Sequence, residues 1–276
     1  MEILFASDIH GNELQYFRIF EKAKEFDVLI LGGDLCPKNL DMQRQREFIR
    51  EYLNPRLQEL KETAPELKIF LMPGNDDFAG NLDLFQDASY YLLFENKFEL
   101  GNGSFITGYP YVPITPFRLK DWEKWDMGEE NKRKAFELEK SISLRGISTW
   151  NNRYENKIFT ETDDDSIEND MLRLFKSTAP EKTLYVFHSP PYNTNLDLLY
   201  SKEHVGSLAI RMAIEGYQPL LTLHGHIHET VDVSGQFVDR LGDTICASPG
   251  NHNTLNTAQI LGIQLPSRSV KRIRLD

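Results

Sequence analysis

Five short apolar runs, each ending in residues able to bind a metal, constrain this chain more than any other feature. Residues 3–7 (ILFAS) lead into Asp8-Ile9-His10-Gly11-Asn12, 28–33 (VLILGG) into Asp34, and 69–74 (IFLMPG) into Asn75-Asp76-Asp77. Residues 184–187 (LYVF) end at His188, and 219–223 (PLLTL) at His224-Gly225-His226-Ile227-His228. Short continuous aliphatic runs read as strands buried on both faces. In the first third of the chain helix-length stretches separate them, which implies parallel pairing and right-handed crossovers. Open α/β sheets collect their sites at the carboxyl ends of strands, so these five ends should converge in space.

The expected elements follow from the same patterning. Glu2–Ala6, Val28–Leu31 and Ile69–Met72 read as strands, with a helix near Asn12–Lys24 that turns Leu14, Phe17, Ile19 and Phe20 inward. A long helix from Asp41 to Lys61 places Phe48, Ile49, Tyr52, Leu53, Leu57 and Leu60 at helical spacing, with Pro55 kinking or dividing it. Phe98–Gly108 reads as a hairpin through Gly101-Asn102-Gly103. From Pro110 to about Pro180 the chain is polar, carries Trp122, Trp125 and Trp150, and shows no sustained strand alternation. A charged helix near Lys120–Glu139 is expected there, and another near Ser166–Lys176 opened by a capping box of Asp165 and Glu168. The core then resumes with a strand at Thr183–Phe187, a helix near Ser207–Glu215 and a strand at Leu220–Leu223. Strands follow at Thr230–Val233, Thr244–Ala247, Ala258–Gln264 and Ser269–Leu275. Residues 1–276 thus read as one α/β domain, with 110–180 a mostly non-strand insertion or cap-like elaboration. Whether that insertion covers the site or forms a surface patch is left open.

Taken singly, each strand-end motif has an ordinary explanation in turn chemistry. His226 and His228 say more, because alternate residues of an extended chain project to one side. Together the donors are nitrogen and oxygen without thiolate, a set suited to Mn²⁺, Fe or Zn²⁺ rather than a structural zinc cage. Composition agrees by exclusion. Lys+Arg 31 against Asp+Glu 42 gives a net charge of −11, which disfavours nucleic acid and anionic membranes as partners. An anionic substrate would need a local positive charge to hold it. Two cysteines suit a reducing compartment, no apolar run reaches the ~20 residues of a membrane span, and the N-terminus lacks a basic n-region. A cytoplasmic location is the expectation.

The ordered pieces Asp8-Ile9-His10, Gly33-Asp34, Gly74-Asn75-Asp76-Asp77, His188 and Gly225-His226-Ile227-His228 resemble the motifs of the calcineurin-like metallophosphoesterases. The resemblance spans the chain apart from 110–180. It implies a four-layer α/β/β/α sandwich holding two divalent metals, with Mn²⁺ the expected ion. Asp8, His10 and His228 would hold the first metal, Asn75, His188 and His226 the second, and Asp34 both. The implied activity is dinuclear-metal phosphoester hydrolysis, expected on phosphodiesters of small molecules. A phosphomonoesterase or protein or nucleotide phosphatase on the same site is the alternative. A non-catalytic metal-binding scaffold for protein partners is the reading from another class, and retention of the whole ligand set weighs against it. A nuclease is weakened by the acidic balance.

One position departs from the family pattern. Asp76 stands where a histidine usually protonates the leaving oxygen. An ordinary Asp titrates near ~3.9 and dications lower that further, so an ionised Asp76 is the expectation. With Asp77 beside it, it should repel a dianionic monoester more than a diester. Asp34, Asn75 and Asp76 are the catalytic candidates, and Asp77 and His224 are expected to support the ligands from behind. His204, ahead of a helix N-terminus, and His252, in Pro249-Gly250-Asn251-His252, are candidate substrate contacts. Both also fit an ordinary helix entry or turn. The oligomeric state is not legible.

Overall fold

Alternation within each apolar run decides the architecture. In β2 (Val28–Gly32), Val28 and Ile30 pack to one side while Leu29 and Leu31 pack to the other. The same split holds in β1 (Glu2–Ala6) and β3 (Lys68–Met72), which flank β2 in parallel. A strand with apolar residues on both faces must be covered on both faces. The computed structural model describes residues 1–276 except 39, 95, 129–141, 161, 162, 164 and 253–255.

Two six-stranded sheets stack face to face. The first adds β4 (Tyr91–Leu92), β15 (Ala258–Gln264) and β16 (Ser269–Leu275), in the order β16-β15-β1-β2-β3-β4. The second contains β5 (Lys97–Gly101), β6 (Ser104–Tyr109), β11 (Thr183–Phe187), β12 (Leu221–His224), β13 (Val238–Leu241) and β14 (Thr244–Ala247). Its order is β13-β14-β12-β11-β6-β5, parallel from β14 to β6. Ile3, Phe5, Ile30, Phe70, Val186 and Leu223 meet between the sheets. The outer face of the first sheet is covered by helices at Glu13–Ala23, Met42–Phe48 and Asn54–Thr63. Helices at Ile167–Lys176 and Leu208–Tyr217 cover the second. The layers run helix, sheet, sheet, helix.

Several local expectations are refined. Pro55 does divide its helix: Ile49–Leu53 widens into π-helical geometry just before it. Proline lacks an N–H and crowds the carbonyl four residues back, and the wider turn absorbs both defects. Leu14 and Phe17 face solvent, while Gln15, Tyr16, Ile19, Phe20 and Ala23 form the inner face. Thr230–Ser234 is a short helix rather than a strand, and β13 begins only at Val238. Alternation of Thr230-Val231-Asp232-Val233 fits a strand in sequence, but Val231 is the inward anchor of a single turn closed by Gly235. The helix after residue 165 is capped by Ser166, whose side chain accepts from Asn169 N. Asp165 instead pairs with Lys124, and Glu168 accepts from Gly128 N, so the expected capping box does not form.

Residues 110–180 contain strands that the sequence pattern conceals: β7 (Val112–Pro113), β8 (Glu123–Lys124), and the hairpin β9 (Arg145–Trp150) with β10 (Arg153–Ile158). Every residue of β10 is exposed, so no buried face imposes a period of two on it. Of the helix expected over 120–139, residues 120–128 are not helical and 129–139 lie outside the described residues. No helix among the described residues is long and apolar enough to cross a membrane.

Candidate metal centre and adjoining cavity

The carboxyl ends of β1, β2, β3, β11 and β12 do meet. Gly33 takes φ +105, and a Cβ there would lie 2.3 Å from the His188 ring. Glycine at this point therefore lets the ends of the two sheets touch. Asp8 N donates to Gly33 O at 3.0 Å and His10 N to Asp34 O at 2.9 Å, which ties the loops after β1 and β2 together. Asp8, His10, Asp34 and His226 all adopt positive φ. Left-handed backbone at non-glycine residues costs free energy and clusters where a site needs its side chains aimed.

Two donor groups form within 4.8 Å: Asp8, His10, Asp34 and His228, and then Asp34, His188 and His226. Asp34 is common to both. Asn75 joins the second, with Oδ1 3.1 Å from His188 Nε2. The proton positions show what this cluster accommodates. His188 Nδ1 faces the Gly32 carbonyl at 3.2 Å, which only accepts, so Nδ1 carries the hydrogen. A neutral His188 then presents a lone pair at Nε2 toward Asn75 Oδ1 and toward Asp34 Oδ1 at 3.4 Å. His10 Nε2 lies 3.1 Å from His228 Nε2, and buried His10 Nδ1 has no hydrogen-bond partner among the described residues. Acceptors turned toward acceptors call for a cation among them, and this donor set fits divalent ions.

Electrostatics points the same way. Burial lowers His10 to about 4, with His228 adding to the effect and Asp34 opposing it. Burial, then His188, lowers His226 to about 3. Both are neutral imidazoles at neutral pH, the form that binds metal. At His188 burial is outweighed by the Asp34 carboxylate, which raises the pKa to about 9, and a divalent ion would take the place of that proton.

The residues behind the ligands have identifiable work. Buried Asp77 accepts from Gly74 N at 2.8 Å, Cys36 N at 2.8 Å and Leu35 N at 3.0 Å, which clamps the loops after β2 and β3. Burial and neighbouring Asp34 push it up to about 7 against those donors. His224 Nδ1 donates to Ser189 O at 2.9 Å and thereby holds the chain just after His188. Trp122 of the insertion donates to Asp77 O at 2.6 Å. Asp121 accepts from Ala79 N at 2.8 Å and Thr149 N at 2.6 Å, so the hairpin braces the loop that carries Asn75. Neither contact has a signature in sequence.

In the metal-free protein, burial and then Asp34 push the Asp76 carboxyl up to about 6, opposed by Lys38, whose Nζ lies 3.1 Å from Oδ2. The lowering expected from sequence is the effect of bound dications, which would act with Lys38 and against burial. Lys38, which sequence reasoning missed, also offsets part of the negative charge invoked to repel monoesters. Its only signal was its place four residues after Asp34 in a proline-containing loop.

A cavity of about 560 Å³ opens beside these donors. The insertion supplies one wall through Ile114, Phe117 and Ile142, and the loop after β11 with the start of the following helix supplies another through Leu199, Val205 and Leu208. His204 lines this space. His252 is not among the lining residues; its ring pairs with Asp232 at 3.0 Å. Buried Asn251 beside it instead holds the backbone of Ser7 and Asp8.

The comparisons agree with this geometry. The model of the calcineurin-like phosphoesterase family matches residues 1–230, and the chain belongs to that family. No curated protein matches the sequence. One solved structure aligns at TM-score 0.65 and 15% identity over 100% of this chain and 99% of its own. The protein TT1561 of Thermus thermophilus aligns at TM-score 0.57 and 17% identity over 100% and 99%. A dimetal phosphatase from Danio rerio aligns at TM-score 0.53 and 11% identity over 100% and 98%. At these identities the likeness is one of fold. The protein is a metal-dependent phosphoesterase with a His/Asp metal site of the two-metal type typical of its family.

Metal-stripped protein should be acid-labile. Burial lowers His224 to about 4 from an unfolded value near 6.5, as it lowers His10 and His226. A depressed folded pKa gives stability that is present above ~6.5 and lost as pH falls toward the folded value, about 3 kcal/mol for His224 alone. His188 has the opposite sign, and its contribution, full below ~6.5, is lost as pH rises from there to about 9. Urea unfolding in chelator should therefore show stability falling steeply between pH 6.5 and 4. A flat profile there contradicts the burial of neutral imidazoles.

Proposed function

We propose that the enzyme hydrolyses small phosphodiesters whose organic group occupies the cavity beside the metals. Asp8, His10 and His228 hold one ion, Asn75, His188 and His226 the other, and Asp34 both, with Mn²⁺ the expected metal. When bound, the ions supply Lewis acidity at the phosphoryl oxygens and activate a water for in-line attack. Asp77, His224 and Trp122 keep the ligand loops in register, and residues 110–180 act as a cap that walls the site. The observation that carries the diester reading is the lining of the cavity. Apart from the ion ligands it presents Asp76, Asp126, Glu203 and Glu229 against Lys38, between apolar walls. Such a lining favours one phosphate charge over two, and an organic group over a polyphosphate or nucleic-acid backbone.

The test is kcat/KM for a matched aryl diester and aryl monoester at full metal occupancy. The diester should be preferred. Lys38→Met, which leaves Asp76 uncompensated, should penalise the monoester roughly tenfold more than the diester, an electrostatic effect of ~1.4 kcal/mol. Preference for the monoester in the wild type identifies a phosphatase on the same site.

A further inference from the structure

Hydrolysis of an alkyl phosphoester needs a proton for the departing oxygen, and the cavity offers few donors suited to neutral pH. Asp76 is paired with Lys38. Asp126 is occupied at the N-terminus of the Leu208–Tyr217 helix, where it accepts from Ser207 Oγ and from Leu208 N at 2.7 Å. Glu203 accepts from Ser201 Oγ at 3.0 Å, and Glu229 opens the short helix at Thr230. His204 is differently placed. Its Nδ1 lies 2.7 Å from Asp197 Oδ1, and Asp197 is fully buried. That carboxylate also accepts from Thr194 N at 2.9 Å, Asn193 N at 2.9 Å and Gly206 N at 3.0 Å. Three backbone donors already point at this carboxyl and make it the acceptor, so Nδ1 carries a hydrogen and Nε2 is left to the cavity. A buried carboxylate orienting a cavity-lining imidazole is an arrangement for proton transfer.

We propose that His204, oriented by Asp197, protonates the leaving-group oxygen; this rests on the phosphoesterase reading above. The bond from phosphorus to the leaving oxygen breaks, its electron pair stays on that oxygen, and the proton of His204 Nε2–H joins it to give the alcohol. The attacking water supplies the new oxygen on phosphorus and releases its proton to solvent, from which the imidazole is recharged. The groups that bias His204 are Asp197, Glu203 and the Tyr192 ring at 6.0 Å within its own loop. Across the cavity they are Lys38, Asp76, Asp126, His228 and Glu229. Asp197 is a positioning residue.

The experiment compares an alkyl diester with a nitrophenyl diester, whose leaving group departs without a proton. With metal content matched, His204→Gln should lose ~10²-fold or more on the alkyl substrate and stay within about threefold on the nitrophenyl one. Asp197→Asn should show the same leaving-group dependence, and imidazole ¹⁵N shifts should report a change from the Nδ1–H tautomer of the wild type. Equal losses on both substrates, or an undiminished alkyl rate, overturn the proposal. If Asp197→Asn does not fold, His204→Gln alone decides. Absence of turnover on any phosphoester by metal-loaded wild type defeats the phosphoesterase reading instead, so the two failures are distinguishable.

Discussion

Asp34→Asn is expected to lower kcat/KM by roughly 10³-fold or more, the several kcal/mol that a correctly held metal pair contributes to charge stabilisation. Asp34 is the one residue common to the two donor groups, with Oδ2 3.6 Å from His10 Nε2 and Oδ1 3.4 Å from His188 Nε2. Asparagine keeps the shape and the oxygen that accepts from Asp76 N at 2.8 Å, so the loop after β3 should stay in place. What disappears is the anion that offsets repulsion between two dications. Metal analysis should fall from two ions per chain toward one, while thermal melting of the metal-stripped protein changes little. Two tightly held ions together with wild-type turnover would show that another group bridges them.

The convergence of the strand ends was legible because it follows from local pattern plus one topological rule. Each apolar run fixes a strand, parallel order fixes which end is shared, and the ligand-type residues lie at that end. What stayed hidden depends on contacts far apart in sequence. Lys38 reaches Asp76, Trp122 reaches the Asp77 carbonyl, and Asp197 holds His204, yet none of these pairings leaves a periodic trace. The β9–β10 hairpin was missed because it packs by hydrogen bonds that Ser148 and Thr149 donate to Asp121 and by Tyr154 on Phe78 rather than by a buried alternating face. For Asp76 the sequence supplies the ordinary carboxylate range and the pull expected of dications; the burial, Asp34 and Lys38 that also act on it are brought together only by the fold.

The same insertion contains the interaction whose loss should destabilise the fold most. Lys120 and Glu123 pair at 2.7 Å with both side chains fully buried. Lys120 Nζ also donates to Thr115 O at 2.7 Å, and Glu123 accepts from Thr115 N at 3.0 Å and from the Thr115 hydroxyl. The pair therefore fixes the segment that carries Ile114 and Phe117 into the cavity. Removing one partner of a buried pair strands the other charge, so Lys120→Met should cost ~3–5 kcal/mol near neutral pH. Burial already pushes Glu123 up to about 7 with Lys120 opposing it, and without the lysine it rises further. A folded pKa raised above the unfolded value gives stability that is present below ~4.5 and lost as pH rises through the folded value. The penalty of Lys120→Met should therefore grow from pH 5 to pH 8. The double variant Lys120→Met/Glu123→Leu should recover most of it, because no charge is then left without a partner. It should still raise KM more than it lowers kcat, since Thr115 loses its anchors and the cavity wall loosens. Additive losses in the double variant, or a single-variant penalty that does not change with pH, would mean that the pair is screened by solvent and that the wall is held by packing alone.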